Sequence, residues 1–133
     1  MSSKRILVID DEVAVLEVVQ SCFEDVAGWQ VILARSGQEG LAKAVSEKPD
    51  AIALDVIIPD MNGIAVLQHL KANPATAAIP VVLLTIAVDF MEPNACAAVG
   101  AVGAIAKPFD PIHLVEEMAR YLGWTLDQRE QES

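Results

Sequence analysis

The strongest constraint on the fold is an alternation, repeated five times, between a short apolar run and a longer amphipathic segment. The first apolar run is Ile6–Ile9, and from Glu12 to Val26 the apolar residues recur with the period of a helix. A strand of consecutive aliphatic residues is apolar on both faces and needs cover on both. Alternating strands and helices joined by short connections predict a parallel sheet with helices on each side.

The whole chain follows this alternation and predicts a doubly wound (βα)5 α/β fold with a five-stranded parallel sheet. The later predicted strands are 29–34, 51–54, 81–84 and 104–106. The later predicted helices are 36–46, a segment after the loop 57–63, 93–99 and a last helix to Leu122, with Ser36 and Asp110 as N-caps. One face of the first helix is predicted to carry Val15, Leu16, Val18, Val19, Cys22, Phe23 and Val26.

Length and hydropathy indicate a single domain. The chain has 133 residues, and we assign residues 1–124 to the domain and 125–133 to a polar tail. The longest apolar run, around 79–88, is far shorter than the ~18 residues of a membrane span, and no signal-peptide pattern precedes it. Cys22 and Cys96 lack metal-ligand spacing, so we expect reduced thiols and a cytoplasmic protein.

The charge balance argues against two classes of partner, nucleic acids and anionic membranes. The chain has 19 Asp and Glu residues against 9 Lys and Arg, a net charge of -10. A nucleic-acid binder needs a basic surface to neutralise phosphates, and an anionic membrane attracts basic segments. We therefore expect no direct contact with nucleic acid or membrane.

Polar side chains follow four of the predicted strands at the point where each strand ends. They are Asp10 and Asp11, Asp55, Thr85 and Lys107. The carboxyl ends of parallel strands meet at one edge of the sheet, where ligands of open α/β sheets bind. Three close carboxylates raise one another's pKa unless a cation intervenes, and ligands that are all oxygen suit Mg²⁺.

This set of groups is suited to phosphoryl transfer. A divalent cation, the Lys107 ammonium and the Thr85 hydroxyl together neutralise the outer oxygens of a phosphoryl group. A carboxylate among them can be the nucleophile and form an acyl phosphate. Simpler roles are also open: Asp10 or Asp11 as a helix cap, Lys107 as a solvated lysine, and Thr85 as an ordinary strand residue.

In these motifs the sequence resembles the response-regulator receiver domains of two-component signalling, up to about Leu122. The matching motifs are Asp10-Asp11, Asp55 with the loop 59–63, Thr85, and Lys107-Pro108-Phe109. The resemblance implies a flavodoxin-like receiver fold and a protein that takes a phosphoryl group from a histidine kinase or phosphotransfer protein. Such a domain signals to a downstream protein and at most slowly removes its own phosphoryl group.

The resemblance also implies the role of each site residue. Asp55 is expected to be the phosphoacceptor. Thr85 is the expected switch hydroxyl and Lys107 the ion-pair partner, with a cis bond to the proline that follows it. The expected ligands of Mg²⁺, or of Mn²⁺ in its place, are Asp10, Asp11, Asp55 and the backbone carbonyl of Ile57.

Two positions depart from the family pattern. Ile86 stands where the family usually has Ala or Gly, and we expect it to slow phosphoryl entry or hydrolysis. Ala104 stands where the family usually has Tyr or Phe, so no ring is present there to move inward on phosphorylation. Either the signal travels by backbone shifts near the fourth helix, or the domain switches poorly.

Several alternatives stay open on sequence alone. The chain is either an independent receiver or a fragment of a hybrid kinase or longer regulator, and a receiver-like binding module that is never phosphorylated is a further alternative. Mg²⁺ binding, read by the fluorescence of Trp29 or Trp124, would test that module.

The wide apolar face of the last helix, with the fourth, indicates either a homodimer or partner interface or a broad core stripe. A haloacid-dehalogenase-like phosphohydrolase is disfavoured, because that family needs a second Asp two residues after the nucleophile and Ile57 stands there.

Overall fold

The five apolar runs form a single parallel sheet, which confirms the predicted fold class. The computed structural model describes residues 4–56, 58, 62–85, 93–107 and 109–124. The strands run in the order β2-β1-β3-β4-β5, and every neighbouring pair is parallel. Their bounds are β1 Arg5–Ile9, β2 Gln30–Ala34, β3 Ala51–Asp55, β4 Val81–Thr85 and β5 Gly103–Ala106.

Helices follow the strands much as the periodicity predicts. Their bounds are α1 Val13–Ser21, α2 Gly37–Glu47, α3 Gly63–Ala72, α4 Pro93–Ala98 and α5 Pro111–Leu122. Both predicted N-caps are confirmed. The Ser36 side chain accepts a hydrogen bond from the amide of Glu39, and the Asp110 side chain accepts from the amides of Ile112 and His113.

The prediction of one uninterrupted helix over 12–26 is wrong at its end. The α-helix stops at Ser21, and a π-helical segment, Cys22–Val26, continues the chain. This wider turn keeps Phe23 fully buried but leaves Val26 exposed. Val18 is also 46% exposed, so the apolar face of this helix is only partly core.

The core has two halves because side chains alternate across the sheet. On β1, Ile6 and Val8 pack with α1, the π-helical segment and α5, whereas Leu7 and Ile9 pack with α2, α3 and α4. Cys22 lies in the first half and Cys96 in the second, and both are buried free thiols.

An aromatic cluster closes the edge where the strands begin. The Trp29 ring lies 5.1 Å from that of Phe23 and 4.9 Å, edge-on, from that of Trp124. Trp124 is placed there because Gly123 adopts the left-handed conformation and ends α5, and the Trp124 amide then donates to the carbonyl of Ala119. The ammonium of Lys4 lies 5.4 Å from the centre of the Trp124 ring.

Among the residues described, no helix has the length and hydropathy needed to cross a bilayer. The predicted polar tail, 125–133, lies outside the described residues.

Candidate functional site

The sheet brings the predicted polar residues together at the edge where its strands end. Asp10 directly follows β1, Asp55 is the last residue of β3, and Thr85 is the last residue of β4. Lys107 directly follows β5, and its amide donates to the carbonyl of Thr85 at 3.0 Å. Four strands that end side by side therefore carry one continuous polar site.

Lys107 holds two buried carboxylates at once. Its Nζ lies 2.8 Å from Oδ2 of Asp10 and 3.0 Å from Oδ2 of Asp55. Asp10 is fully buried, Asp55 is nearly so, and the Lys107 side chain is only 13% exposed. Burial opposes the charge of this ammonium, but its hydrogen bonds to Asp10 and Asp55 and their negative charges raise its pKa above the ordinary 10.5.

The carboxylates outnumber the lysine. Asp10, Asp11 and Asp55 each offer an oxygen, and these three atoms lie within 4.8 Å of one another. One ammonium among three carboxylates leaves an excess of negative charge at a largely buried position. Because all three donors are carboxylate oxygens, the set fits a hard divalent cation such as Mg²⁺.

The two carboxylate oxygens of Asp10 make different contacts at this end of the sheet. Its Oδ2 pairs with Lys107, while its Oδ1 accepts the amide of Glu12 at 2.9 Å and so orients the start of α1. The N-cap of α1 is Glu12, so neither Asp10 nor Asp11 is the helix cap considered from the sequence; the turn hydrogen bond of Asp10 and its ion pair occur together. The exposed carboxylate of Glu12 lies 4.0 Å from Nζ of Lys107, a proximity that the sequence motifs did not indicate.

The other predicted residues divide into described and undescribed ones. Thr85 is buried at the site. Ala104 is buried among the residues that pack with α2, α3 and α4, opposite Leu83 on β4. Ile57, Ile86 and the Lys107–Pro108 bond fall outside the described residues. The carbonyl ligand, the effect of Ile86 and the cis bond therefore stay predictions.

An apolar groove adjoins the site. It has a volume of about 340 Å³ and is lined by Ala14, Val15, Val18, Lys107 and Phe109. The exposure of Val18, which the helical pattern placed in the core, is explained by its position on this groove. A larger cleft of about 480 Å³ between α2 and α3 is lined by residues that do not belong to the carboxylate site.

A comparison with protein families decides the classification. The sequence pattern of the response regulator receiver domain matches residues 6–119. The chain belongs to this family. Receiver domains are signalling modules that bind Mg²⁺ at an acidic pocket, and this chain carries a cluster of three carboxylates.

The chain is similar to part of longer regulatory proteins. The alkaline phosphatase synthesis transcriptional regulatory protein PhoP of Bacillus subtilis is 37% identical over 109 residues, which is 82% of this chain and 44% of that protein. The phosphate regulon transcriptional regulatory protein PhoB of Pseudomonas aeruginosa is 34% identical over 92% of this chain and 53% of its own length. This chain thus spans about half the length of these relatives.

Solved structures agree with the fold. The chemotaxis response regulator CheY4 of Vibrio cholerae matches with a TM-score of 0.83 and 30% identity, over 90% of this chain and 99% of that one. The receiver domain of a signal transduction histidine kinase from Syntrophus aciditrophicus matches with a TM-score of 0.78 and 31% identity, over 91% of each chain.

Proposed function

We propose that this chain is a phosphoacceptor that takes a phosphoryl group onto Asp55, with Mg²⁺ bound beside it, and signals through contacts with other proteins. The observation that carries the proposal is the bridge from the ammonium of Lys107 to buried Asp10 and Asp55 within a three-carboxylate cluster. Burying this excess of negative charge is costly to a fold. The arrangement is explained if the cluster binds a cation and a phosphoryl group.

In the proposed reaction a carboxylate oxygen of Asp55 attacks the phosphorus of a phosphohistidine. The new O–P bond forms an acyl phosphate as the N–P bond breaks, and the imidazole leaves with the electron pair of that bond and takes up a proton. Lys107 lies 3.0 Å from Asp55 and is placed to pair with the incoming phosphoryl oxygens. Buried Thr85 is the proposed hydroxyl donor.

Asp10, Asp11 and Asp55, with the backbone carbonyl of Ile57, are the groups that would hold the cation. When bound, Mg²⁺ (or Mn²⁺) neutralises negative charge on the transferred group. Lys107 already pairs with Asp10 and Asp55, and these contacts hold both carboxylates oriented toward the site.

The apolar groove supports a protein as the donor. We propose that a phosphohistidine reaches Asp55 from the side of Lys107, where Ala14, Val18 and Phe109 line the groove. An apolar helix face on the partner would bury these side chains. We infer that a sensor histidine kinase or phosphotransfer protein covers this groove during transfer.

The wider setting is also a proposal. We propose that residues 1–124 act as one receiver unit in the cytoplasm, that this unit does not itself bind nucleic acid, and that it is no enzyme on external substrates. The net charge of -10 of the whole 133-residue chain supports the absence of nucleic-acid binding by this chain. A receiver-like module that is never phosphorylated is not favoured, because Asp10, Asp55 and Lys107 are present and assembled.

Intact mass after incubation with acetyl phosphate and Mg²⁺ tests the acceptor. We expect wild-type protein to gain one phosphoryl group and Asp55→Asn to gain none. The matched control is Asp50→Asn, which removes an exposed carboxylate at the opposite end of the same strand and should still be loaded. A folded wild-type protein that gains no mass, or an Asp55→Asn variant that gains as much, would overturn the proposal.

A further inference from the structure

One side of the sheet ends at β2. Among the described residues β2 is the outermost strand on this side, so no strand pairs with its outer backbone groups. The amide of Gln30 and the carbonyl of Ala34 make their hydrogen bonds on the side of β1. Backbone groups alternate in direction along a strand, so those of Val31, Leu33 and Arg35 point outward. We call these outward amides and carbonyls the β2 edge.

The composition of β2 makes this edge prone to pairing with another strand. The strand, Gln30–Ala34, has four aliphatic residues and no charged residue. Unpaired amides and carbonyls beside an uncharged aliphatic surface are a template for strand addition. Many edge strands are protected by a lysine or a proline of their own, and β2 contains neither. Its protection therefore has to come from outside the strand.

Two side chains of α2 cover two groups of the β2 edge. Nζ of Lys43 donates to the carbonyl of Leu33 at 2.7 Å, and Oε1 of Glu39 accepts from the amide of Arg35 at 2.8 Å. The two side chains are one helical turn apart and also pair with each other, with 2.9 Å between Nζ and Oε2. Each member of the pair thus holds the other in place over the strand.

These two hydrogen bonds reproduce the pattern of a neighbouring parallel strand. In a parallel pair, one residue donates its amide to the carbonyl that precedes its partner, and its own carbonyl accepts from the amide that follows the partner. With Ala34 as the partner, these groups are the Leu33 carbonyl and the Arg35 amide. Lys43 therefore takes the place of the amide, and Glu39 that of the carbonyl, of one residue in a missing sixth strand.

We propose that the β2 edge is a site for strand addition by β2 of a second copy of this chain, and that the Glu39–Lys43 pair closes it. While the pair is in place, the sheet stops at five strands on this side. When the pair is removed, two copies join through their β2 edges into one continuous sheet.

The second copy is the occupant because the β2 edge is complementary to itself in the antiparallel direction. With Leu33 of one copy opposite Leu33 of the other, the two residues exchange both of their hydrogen bonds, and Val31 lies opposite Arg35. No charged side chain within Gln30–Ala34 opposes this pairing. The Leu33 carbonyl, at the centre of the pairing, is the group that Lys43 covers.

Sedimentation velocity of the full chain over a range of concentrations tests the proposal. Glu39→Ala/Lys43→Ala uncovers both groups, and we expect a concentration-dependent species of twice the wild-type mass. The matched control, Glu39→Gln/Lys43→Arg, keeps an acceptor for the Arg35 amide and a donor for the Leu33 carbonyl, so it should sediment like wild type. The control has one negative charge fewer and the alanine variant has the wild-type net charge, so charge alone would favour association of the control.

Two further measurements locate the contact on β2. Val31→Pro in the alanine background removes an outward amide and leaves the hydrogen bonds to β1 in place, so it should restore the wild-type mass. Exchange of the Leu33 amide, followed by NMR, should slow with concentration in the alanine variant and not in wild type. Circular dichroism checks that each variant is folded.

Four results would overturn the proposal. They are a folded alanine variant that sediments like wild type at every concentration, equal association of the Glu39→Gln/Lys43→Arg control, assemblies larger than two wild-type units, and association that survives Val31→Pro without slower exchange at Leu33.

Discussion

The two ends of the sheet, where the strands begin and where they end, differ in the kind of side chain that they bury. At the edge where the strands end, Asp10, Asp55 and Lys107 are buried as charges. At the edge where they begin, Phe23, Trp29 and Trp124 form an aromatic cluster. Buried ion pairs add little stability beyond an apolar replacement, while aromatic packing adds stability directly. The fold thus buries charged side chains where the strands end and aromatic side chains where they begin.

The distance between the edges matters for experiments. Each strand has four or five residues, at about 3.3 Å per residue, so the tryptophans lie roughly a strand length from the carboxylates. The expectation that Trp29 or Trp124 reports Mg²⁺ binding stays a prediction, and over this distance we expect only a small change in their fluorescence. Their fluorescence should follow packing at the aromatic edge.

The largest expected effect on stability comes from truncating Trp29 in the aromatic cluster. Trp29→Ala should lower the free energy of unfolding by about 3–5 kcal/mol, because it empties a buried site between Phe23 and Trp124. Urea denaturation followed by circular dichroism measures it. Trp29→Phe keeps most of the volume and should cost less, and it should still accept a phosphoryl group. Loss of phosphorylation in folded Trp29→Phe would contradict the independence of the two edges.

A somewhat smaller loss is expected at the charged edge. Lys107→Met removes the cation that pairs with two buried carboxylates and should cost about 3 kcal/mol. The pKa of Lys107 is raised in the folded state, so its contribution is complete below pH 10.5 and is lost only as the pH rises through the raised value. Urea denaturation at pH 7.5 therefore measures the whole effect.

Two controls sharpen that measurement. Lys43→Met removes a partly buried lysine that pairs with Glu39 and donates to the carbonyl of Leu33, and it should change stability by about 1 kcal/mol or less. Added Mg²⁺ should restore part of the loss in Lys107→Met, because a cation among the three carboxylates replaces the missing charge. Equal unfolding midpoints for wild type and Lys107→Met would show that burial of these charges has no energetic consequence.

The smallest effect concerns an exposed charge near the end of β2. The backbone amide of Arg35 and the side chain of Lys43 lower the pKa of Glu39 below its usual 4.5. A lowered carboxyl pKa stabilises the fold above about pH 4.5, and this contribution disappears as the pH falls through the folded value. Glu39→Gln should remove a few tenths of a kcal/mol of that acid dependence because these side chains are exposed. Unfolding midpoints at pH 3, 4 and 6 measure it; identical profiles would contradict the prediction.

The sheet and its charged edge were predictable because both follow from local sequence. A strand that is apolar on both faces must be covered, and parallel strands end together, so Asp10, Asp55 and Lys107 had to lie near one another. Their mutual distances were not predictable. They depend on strand order and register, which join residues 97 positions apart in the case of Lys107 and Asp10.

The wrong predictions of burial came from assuming a regular helix without knowledge of how it packs. A uniform turn of 100° per residue placed Val18 and Val26 in the core, whereas the π-helical segment and the groove leave both exposed. The broad apolar face of α5 divides in the same way. Leu114 and Met118 are buried, but Ile112 is 60% exposed. The interface predicted at the fourth and fifth helices stays a prediction.

The placement of the two thiols has a practical consequence for labelling. Burial raises the pKa of both Cys22 and Cys96, and the charges of Asp25 and Asp110 add to the effect at Cys22. Maleimide and iodoacetamide react with the thiolate, so both native cysteines should react slowly near neutral pH. A single cysteine introduced at exposed Val102 or Ile112 can then carry a spin label or fluorophore while the native thiols stay in place.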